Sequence, residues 1–230
     1  TGPLVSLVVN DRPQRLEDLL EYYGIRQDER EILVAALKDY VDRDELASLN
    51  GAERRSYEEI GMLRPTNRFL LSPTQIMNVK GWTGALGFNV NSFIREITPV
   101  GGNNYNFNTL TQIGLLNIDD LNEAAVKEIL DYRKEGFFKS IGDVNQLVDV
   151  LVPVDPLEFG FIPSTSIRVS MSDSRESREN LIGITFTPMS GFGPWEIDYN
   201  VSIAKILAGS ENVSDETYEV SGSNQPIIFQ

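Results

Sequence analysis

Hydrophobic positions along this chain recur first at helical and later at strand spacing. Residues 3–10 (PLVSLVVN) are a short apolar run with β-branched residues, which predicts a strand. Leu16, Leu19, Leu20 and Tyr23 then recur at helical spacing over 15–23, ahead of Gly24. Ile32, Leu33, Ala36, Leu37 and Tyr40 repeat that spacing and predict a helix over 27–39. Short helical turns are expected at 45–50 and 52–59, either side of Gly51, and Pro65 excludes a helix across 63–67. Ser72, Pro73 and Gln75 have the order of a cap, a first helical residue and a reciprocal capping partner. A short helix is expected there, buried through Ile76, Met77 and Val79 and ended by Gly81.

Residues 89–94 are weakly helical, 98–104 read as a glycine- and asparagine-rich turn, and 105–109 read as extended. The strongest helical pattern covers 121–135, started by Ile118-Asp119-Asp120, with Leu121, Ala125, Val126, Ile129, Leu130 and one of Tyr132 or Arg133 facing inward. One more short helix is expected at 141–148. The order apolar, Ser, short helix at 67–81 recurs at 137–148, a weak internal echo. Beyond Pro153 and Pro156 the period changes to two: residues 166–172, 180–188 and 195–207 alternate as half-buried strands, with polar turns at 172–179 and 209–224. The fold class is therefore α+β. Strand 3–10 is expected to join the late antiparallel sheet, so that segments 1–14 and 153–230 make one discontinuous domain. Residues 15–152 form the all-α insertion, built from helical hairpins.

Chemistry enters where helix 27–39 ends. Asp39, Asp42 and Asp44 crowd that end, where the helix dipole is already negative, so a compensating positive charge is needed. Hard cations such as Ca²⁺ take six to eight oxygens from such acidic loops. The spacing is not that of an EF-hand, and a solvated acidic loop is the plainer alternative.

The chain has 230 residues, 34 acids against 20 bases and a formal charge of −14, with no cysteine and no histidine. Phosphate-backbone binding is disfavoured by that charge. Disulfides, thiol zinc sites, His-based triads and HExxH sites are excluded outright. No apolar run is long enough to span a membrane. Asp119 and Asp120 could suggest a glycosidase pair, but adjacent residues do not face a common point and read better as helix-cap acids. Trp82 and Trp195 are single aromatics, the four methionines do not cluster, and the glycine-rich turn at 101–104 lacks the Lys and Ser/Thr of a phosphate loop. Paired short helices evoke helix-hairpin-helix DNA binding. However, Lys127, Arg133, Lys134 and Lys139 are the one local basic cluster, and acids surround them.

Several motifs occur in one order: Val9-Asn-Asp11, Asp39-Tyr-Val-Asp42-Arg-Asp44, Asn50-Gly-Ala-Glu53-Arg-Arg-Ser-Tyr57 and Asn67-Arg-Phe-Leu-Leu-Ser72. Val79-Lys-Gly81-Trp-Thr83, Asn106-Phe-Asn108-Thr109, residues 124–133 and Phe138-Lys-Ser140 follow. In this the chain resembles the K subunit of type II secretion, a minor pseudopilin. The resemblance implies a pilin-like sheet interrupted by a large helical domain. It also implies an N-terminal hydrophobic helix, cleaved by a prepilin peptidase and serving as membrane anchor, which this sequence, starting at Thr1, does not include. By the same resemblance Asp39, Asp42, Asp44 and Glu53 are expected to hold structural calcium, with Tyr57 and Asn67 positioning the loop. The expected partners are the I and J minor pseudopilins, with the major pseudopilin a further possibility, at the periplasmic face of the inner membrane. Members that pin this domain with a disulfide differ here, since cysteine is absent. Without the resemblance, the residues support an acidic extracytoplasmic calcium-binding interaction module.

Overall fold

The computed structural model describes residues 14–97, 99, 105–152, 159–162, 165–173 and 175–205. The expected strand at 3–10 and the turns at 98–104 and 209–224 therefore lie outside the described residues, wholly or nearly so. Helix α1 (Gln14–Tyr22) and helix α2 (Gln27–Val41) form an antiparallel pair. Leu16 and Leu20 of α1 and Leu33 and Leu37 of α2 are fully buried or nearly so, as their spacing predicts. Ile32 departs from expectation: it stands 47% exposed, because the buried stripe of α2 runs through Leu33, Val34, Leu37 and Val41 instead. The loop after α2 is irregular through residue 50, without the helical turn expected at 45–50.

A one-turn helix, α3 (Arg54–Glu58), follows. The 3-10 helix Pro73–Asn78 starts at the expected proline, but Ser72 makes no side-chain cap. Gln75 instead accepts from the Leu71 N–H at 2.6 Å, one residue earlier than a capping box requires. Its Met77 is exposed rather than buried. Gly81 does not merely stop this element; with φ +88° it also leads into α4 (Trp82–Leu86), a helix the periodicity did not reveal. A 3-10 turn (Gly87–Asn89) and α5 (Val90–Glu96) complete this half. Trp82 is completely buried, and its indole N–H donates to Leu33 O at 2.9 Å, locking α4 across α2.

The second helical group contains α6 (Gln112–Leu116), α7 (Glu123–Tyr132) and α8 (Ile141–Val148). Asn122, not Ile118-Asp119-Asp120, caps α7 by accepting from the Ala125 N–H. Ser140 and Asp143 make a full capping box on α8, so the sequence echo at 67–81 differs from it at the cap itself. A short parallel pair joins β1 (Tyr105–Asn106) to β2 (Phe159–Gly160) beneath this group.

Strands β3 (Ser166–Ser172), β4 (Arg178–Phe186) and β5 (Trp195–Ala204) form an antiparallel sheet in that order. The register slips between Gly183 and Ile184, so that Asp198 is the extra residue on β5. Gly183 lies under Tyr199: a Cβ there would sit 2.7 Å from the ring's Cζ. Leu181, Tyr199 and Ile203 point to the helices and share one core with α1, α2, α4 and α5. The other sheet face presents Ile167, Met171, Phe186, Trp195 and Ile197, all exposed. Arg168 is driven into the helix-facing side. Its guanidinium donates to Ile97 O at 3.0 Å and to Arg95 O, capping the end of α5. The half-buried Arg95–Glu179 ion pair lies beside it. Phe107, Ile129, Phe138, Val144 and Phe159 belong to a second, separate core. The architecture is α+β, with the first helical group welded to the sheet and the second holding its own core.

Candidate metal centre

The last turn of α2 carries Asp39 inward because it falls on the same stripe as Leu33, Ala36 and Tyr40. Asp39 has no solvent exposure, and its Oδ2 accepts the Ser48 N–H at 3.0 Å. Its Oδ1 takes the Ser48 hydroxyl. The loop returns across this carboxylate at Gly51. A Cβ on residue 51 would lie 2.7 Å from Asp39 Cγ and closer still to Oδ2, so only glycine permits the approach. Asn50 supports the turn with φ +65°. Asp42 follows α2 in extended conformation, with its N–H still bonded to Lys38 O.

Glu53 is the third member. It stands at the N-terminus of α3, is 5% exposed, and neither carboxylate oxygen has a hydrogen-bond partner. Asp42 Oδ1 is likewise buried without one. Asp39, Asp42 and Glu53 each offer an oxygen, and those oxygens lie within 4.8 Å of one another. Burial, then the charges of Asp39, Asp42 and Glu45, push the Glu53 carboxyl up to about 7. Asp42 is raised too, by burial first and then by Asp44 and Asp39. No ion pair among the described residues reaches these three groups. Orphaned buried carboxylate oxygens aimed at one point, without a counter-charge, are costly unless a cation joins them. The donor set is all oxygen, which suits a hard divalent ion.

The other expected site residues take different places. Asp44 is outside the trio; its Oδ1 accepts the Leu46 N–H at 2.8 Å, and its charge acts on Asp42. Asn67, at φ +48°, bridges the loop: its N–H donates to Tyr40 O, and its Nδ2 donates to Asp44 O at 2.8 Å and Glu45 Oε1 at 3.3 Å. Tyr57 is fully buried against Tyr40 and accepts the Lys80 N–H on its hydroxyl. Burial pushes that phenol up to about 12, so it stays neutral. Sequence reading placed Gly51 at the close of the carboxylate loop but overlooked Ser48. Gly51 within Asn-Gly-Ala-Glu was the available signal; Ser48 had none, since its role depends on how the loop folds back.

Three of the four cations in the basic cluster at 127–139 are occupied internally. Lys127 and Lys134 both pair with Asp131, and Arg133 turns inward to Leu110 O at 2.6 Å and to Phe107 O. Little cationic surface is left there for phosphate.

The family described as Type II secretion system (T2SS), protein K matches residues 6–97, the stretch that holds the carboxylate trio, Tyr57 and Asn67. The fold is similar to a chain in the crystal structure of the GspK-GspI-GspJ complex from the enterotoxigenic Escherichia coli Type 2 Secretion System. The TM-score is 0.59 at 14% identity, over 84% of this chain and 70% of that one. No curated protein matches the chain in sequence. Residues 6–97 are thus similar in sequence to the type II secretion system protein K family, and the chain is similar in fold, over most of its length, to a chain of that complex.

Proposed function

We propose that this protein is a minor pseudopilin of a type II secretion system, working as a structural subunit rather than an enzyme. The protein K match over the carboxylate-bearing segment carries the reading. The structural neighbour comes from a complex with GspI and GspJ, which supports contacts of this chain with the corresponding I and J minor pseudopilins. In this role the helical mass stands at the tip of the pseudopilus, at the periplasmic face of the inner membrane, and its bulk blocks addition of a further subunit. No described helix is long and apolar enough to cross a membrane.

Calcium is the cation that fits the trio. Oxygens bound to one Ca²⁺ at about 2.4 Å can lie up to about 4.8 Å apart, and flexible all-oxygen loops suit its irregular coordination better than the strict octahedron of Mg²⁺. Asp39, Asp42 and Glu53 each offer an oxygen within that span. Asp44 serves this loop through the charge it adds and the turn it holds, and Asn67 and Tyr57 brace the walls. The ion would neutralise the trio and fasten the loop to the end of α2.

The test is a thermal melt in EDTA, in millimolar calcium and in millimolar magnesium. With an affinity of about 10⁻⁴–10⁻³ M, 1 mM calcium stabilises by about 0.4–1.4 kcal/mol, a rise of a few degrees. The rise should vanish in Asp42→Ala/Glu53→Ala and be absent with magnesium. Co-purification with I and J subunits from the same secretion system tests the assembly role separately. Failure to bind either subunit would refute it even if calcium binds.

A further inference from the structure

The loop that closes over the trio carries a reactive pair which a cation does not use. Asn50-Gly51 is the one Asn-Gly pair in the chain. An asparagine followed by glycine is the most labile kind of asparagine in water. With no Cβ in the way, the glycine's backbone nitrogen can reach the preceding side-chain amide. Asn50 is exposed, so water meets that amide freely.

The folded loop holds the pair out of its reactive arrangement. Ser48, Leu49, Asn50 and Gly51 form a tight turn, closed by the Gly51 N–H donating to Ser48 O at 2.9 Å. Asn50 takes the third place with φ +65°, a left-handed position that suits Gly or Asn. Attack by the Gly51 nitrogen turns the Asn50–Gly51 peptide plane and needs the proton off that nitrogen, so the bond to Ser48 O must break first. Ser48 is in turn tied to the buried Asp39, through its N–H at 3.0 Å and through its hydroxyl. Closure of the loop and protection of Asn50 are thus one structural event.

We propose that Asn50 is a modification site, a deamidation switch that is released when the carboxylate loop opens and whose isoaspartyl product keeps the loop from closing again. In the opened loop, hydroxide takes the Gly51 N–H proton and the nitrogen attacks Asn50 Cγ. The Cγ–Nδ2 bond breaks, ammonia leaves with a proton from water, and a cyclic succinimide remains. Water then opens the ring: cleavage at the Asn50 backbone carbonyl gives isoaspartate, and cleavage at Cγ gives aspartate. The sum is water in and ammonia out, with no redox change. Isoaspartate lengthens the main chain by a methylene just ahead of Gly51, where a Cβ would already lie 2.7 Å from Asp39 Cγ. Either product also adds a negative charge to the loop of Asp39, Asp42 and Glu53, which no ion pair among the described residues answers. The step runs one way, so the modified fraction records how long the loop has stood open. The inference goes beyond the pseudopilin reading and needs no bound cation.

The test ages the protein in EDTA at mildly alkaline pH and follows residues 50–51 by peptide mass spectrometry, with isoaspartyl O-methyltransferase labelling to count isoaspartate. A synthetic peptide of residues 46–54 gives the rate of the unguarded pair. The folded protein should convert at least about tenfold more slowly than that peptide. Ser48→Ala should convert about fivefold faster than the parent or more, since it loses a hydrogen bond to a charged group. Urea below the unfolding transition should raise the parent's rate toward the peptide's, which gives the same answer without a variant. The isolated isoaspartyl protein should melt below the parent. A parent rate equal to the peptide's, a folded Ser48→Ala no faster than the parent, a parent rate that urea leaves unchanged, or an isoaspartyl protein that melts with the parent would overturn the proposal.

Discussion

At Glu53, burial and neighbouring charge act in the same direction, since both favour the neutral acid and lift it to about 7. The sign of the pH dependence follows. An acid raised in the folded state adds stability that is complete below its ordinary value near 4.5 and is lost as pH climbs through about 7. Without metal the protein should therefore be less stable at pH 8 than at pH 5, by on the order of 2–3 kcal/mol from this group. Glu53→Gln should flatten that slope, and melts in EDTA from pH 5 to 8 would read it. Calcium should oppose the slope, because ionised carboxylates are the ligands. A metal-free protein that gains stability toward pH 8 would contradict this account of Glu53. Gly51 gives a second residue-scale expectation. Gly51→Ala must move Asp39 or the loop, at about 1–3 kcal/mol, and should remove any calcium-induced rise in melting temperature. A variant as stable and as calcium-responsive as the parent would show that the approach is not tight.

Among the elements, the helices and late strands were legible because their periods are unambiguous: β3 occupies the expected 166–172, and Leu16, Leu20, Leu33 and Leu37 are buried. Helix α4 was hidden, because its five residues include Gly84 and too little periodicity to register; burial of Trp82 and its bond to Leu33 O hold it instead. Asp39, Asp42 and Asp44 were legible as a cluster by spacing, while Glu53 came only from the family resemblance; which carboxylates meet depends on the return of the loop at Gly51, and sequence carries no register for that. Asn108 was named only within a motif, yet it joins three elements. Its Oδ1 accepts from Phe138 N–H at 2.8 Å, and its Nδ2 donates to Phe138 O and Phe161 O. Asn108→Ala leaves those part-buried groups unanswered and should cost about 2–4 kcal/mol. Ser140→Ala loses one cap bond and should cost about 1 kcal/mol. Urea unfolding of the two variants ranks them; a larger effect at Ser140 would show that the helix cap, not the Asn108 clamp, secures this group.

The whole molecule is organised by its two cores rather than by the boundary between helices and sheet. The first unites the carboxylate-bearing helices with Leu181, Tyr199 and Ile203, so a cation bound at the end of α2 would be coupled through packing to the sheet. The second closes around Phe107 and Phe138, and it meets the first across a narrow contact that includes Ile113 and the Thr111 hydroxyl bonded to Glu96. Cores joined by so small a contact should unfold as separable units. Calorimetry should accordingly resolve two overlapping transitions. Calcium should raise the one belonging to the first core and leave the other in place. Phe138→Ala, which empties a fully buried ring site, should lower the other by about 3–5 kcal/mol while the calcium-sensitive transition stays put. One transition, moved by both calcium and Phe138→Ala, would mean that the narrow contact transmits enough energy to make the two cores a single cooperative unit. A calcium ion would then stabilise the second helical group as well as the loop it occupies.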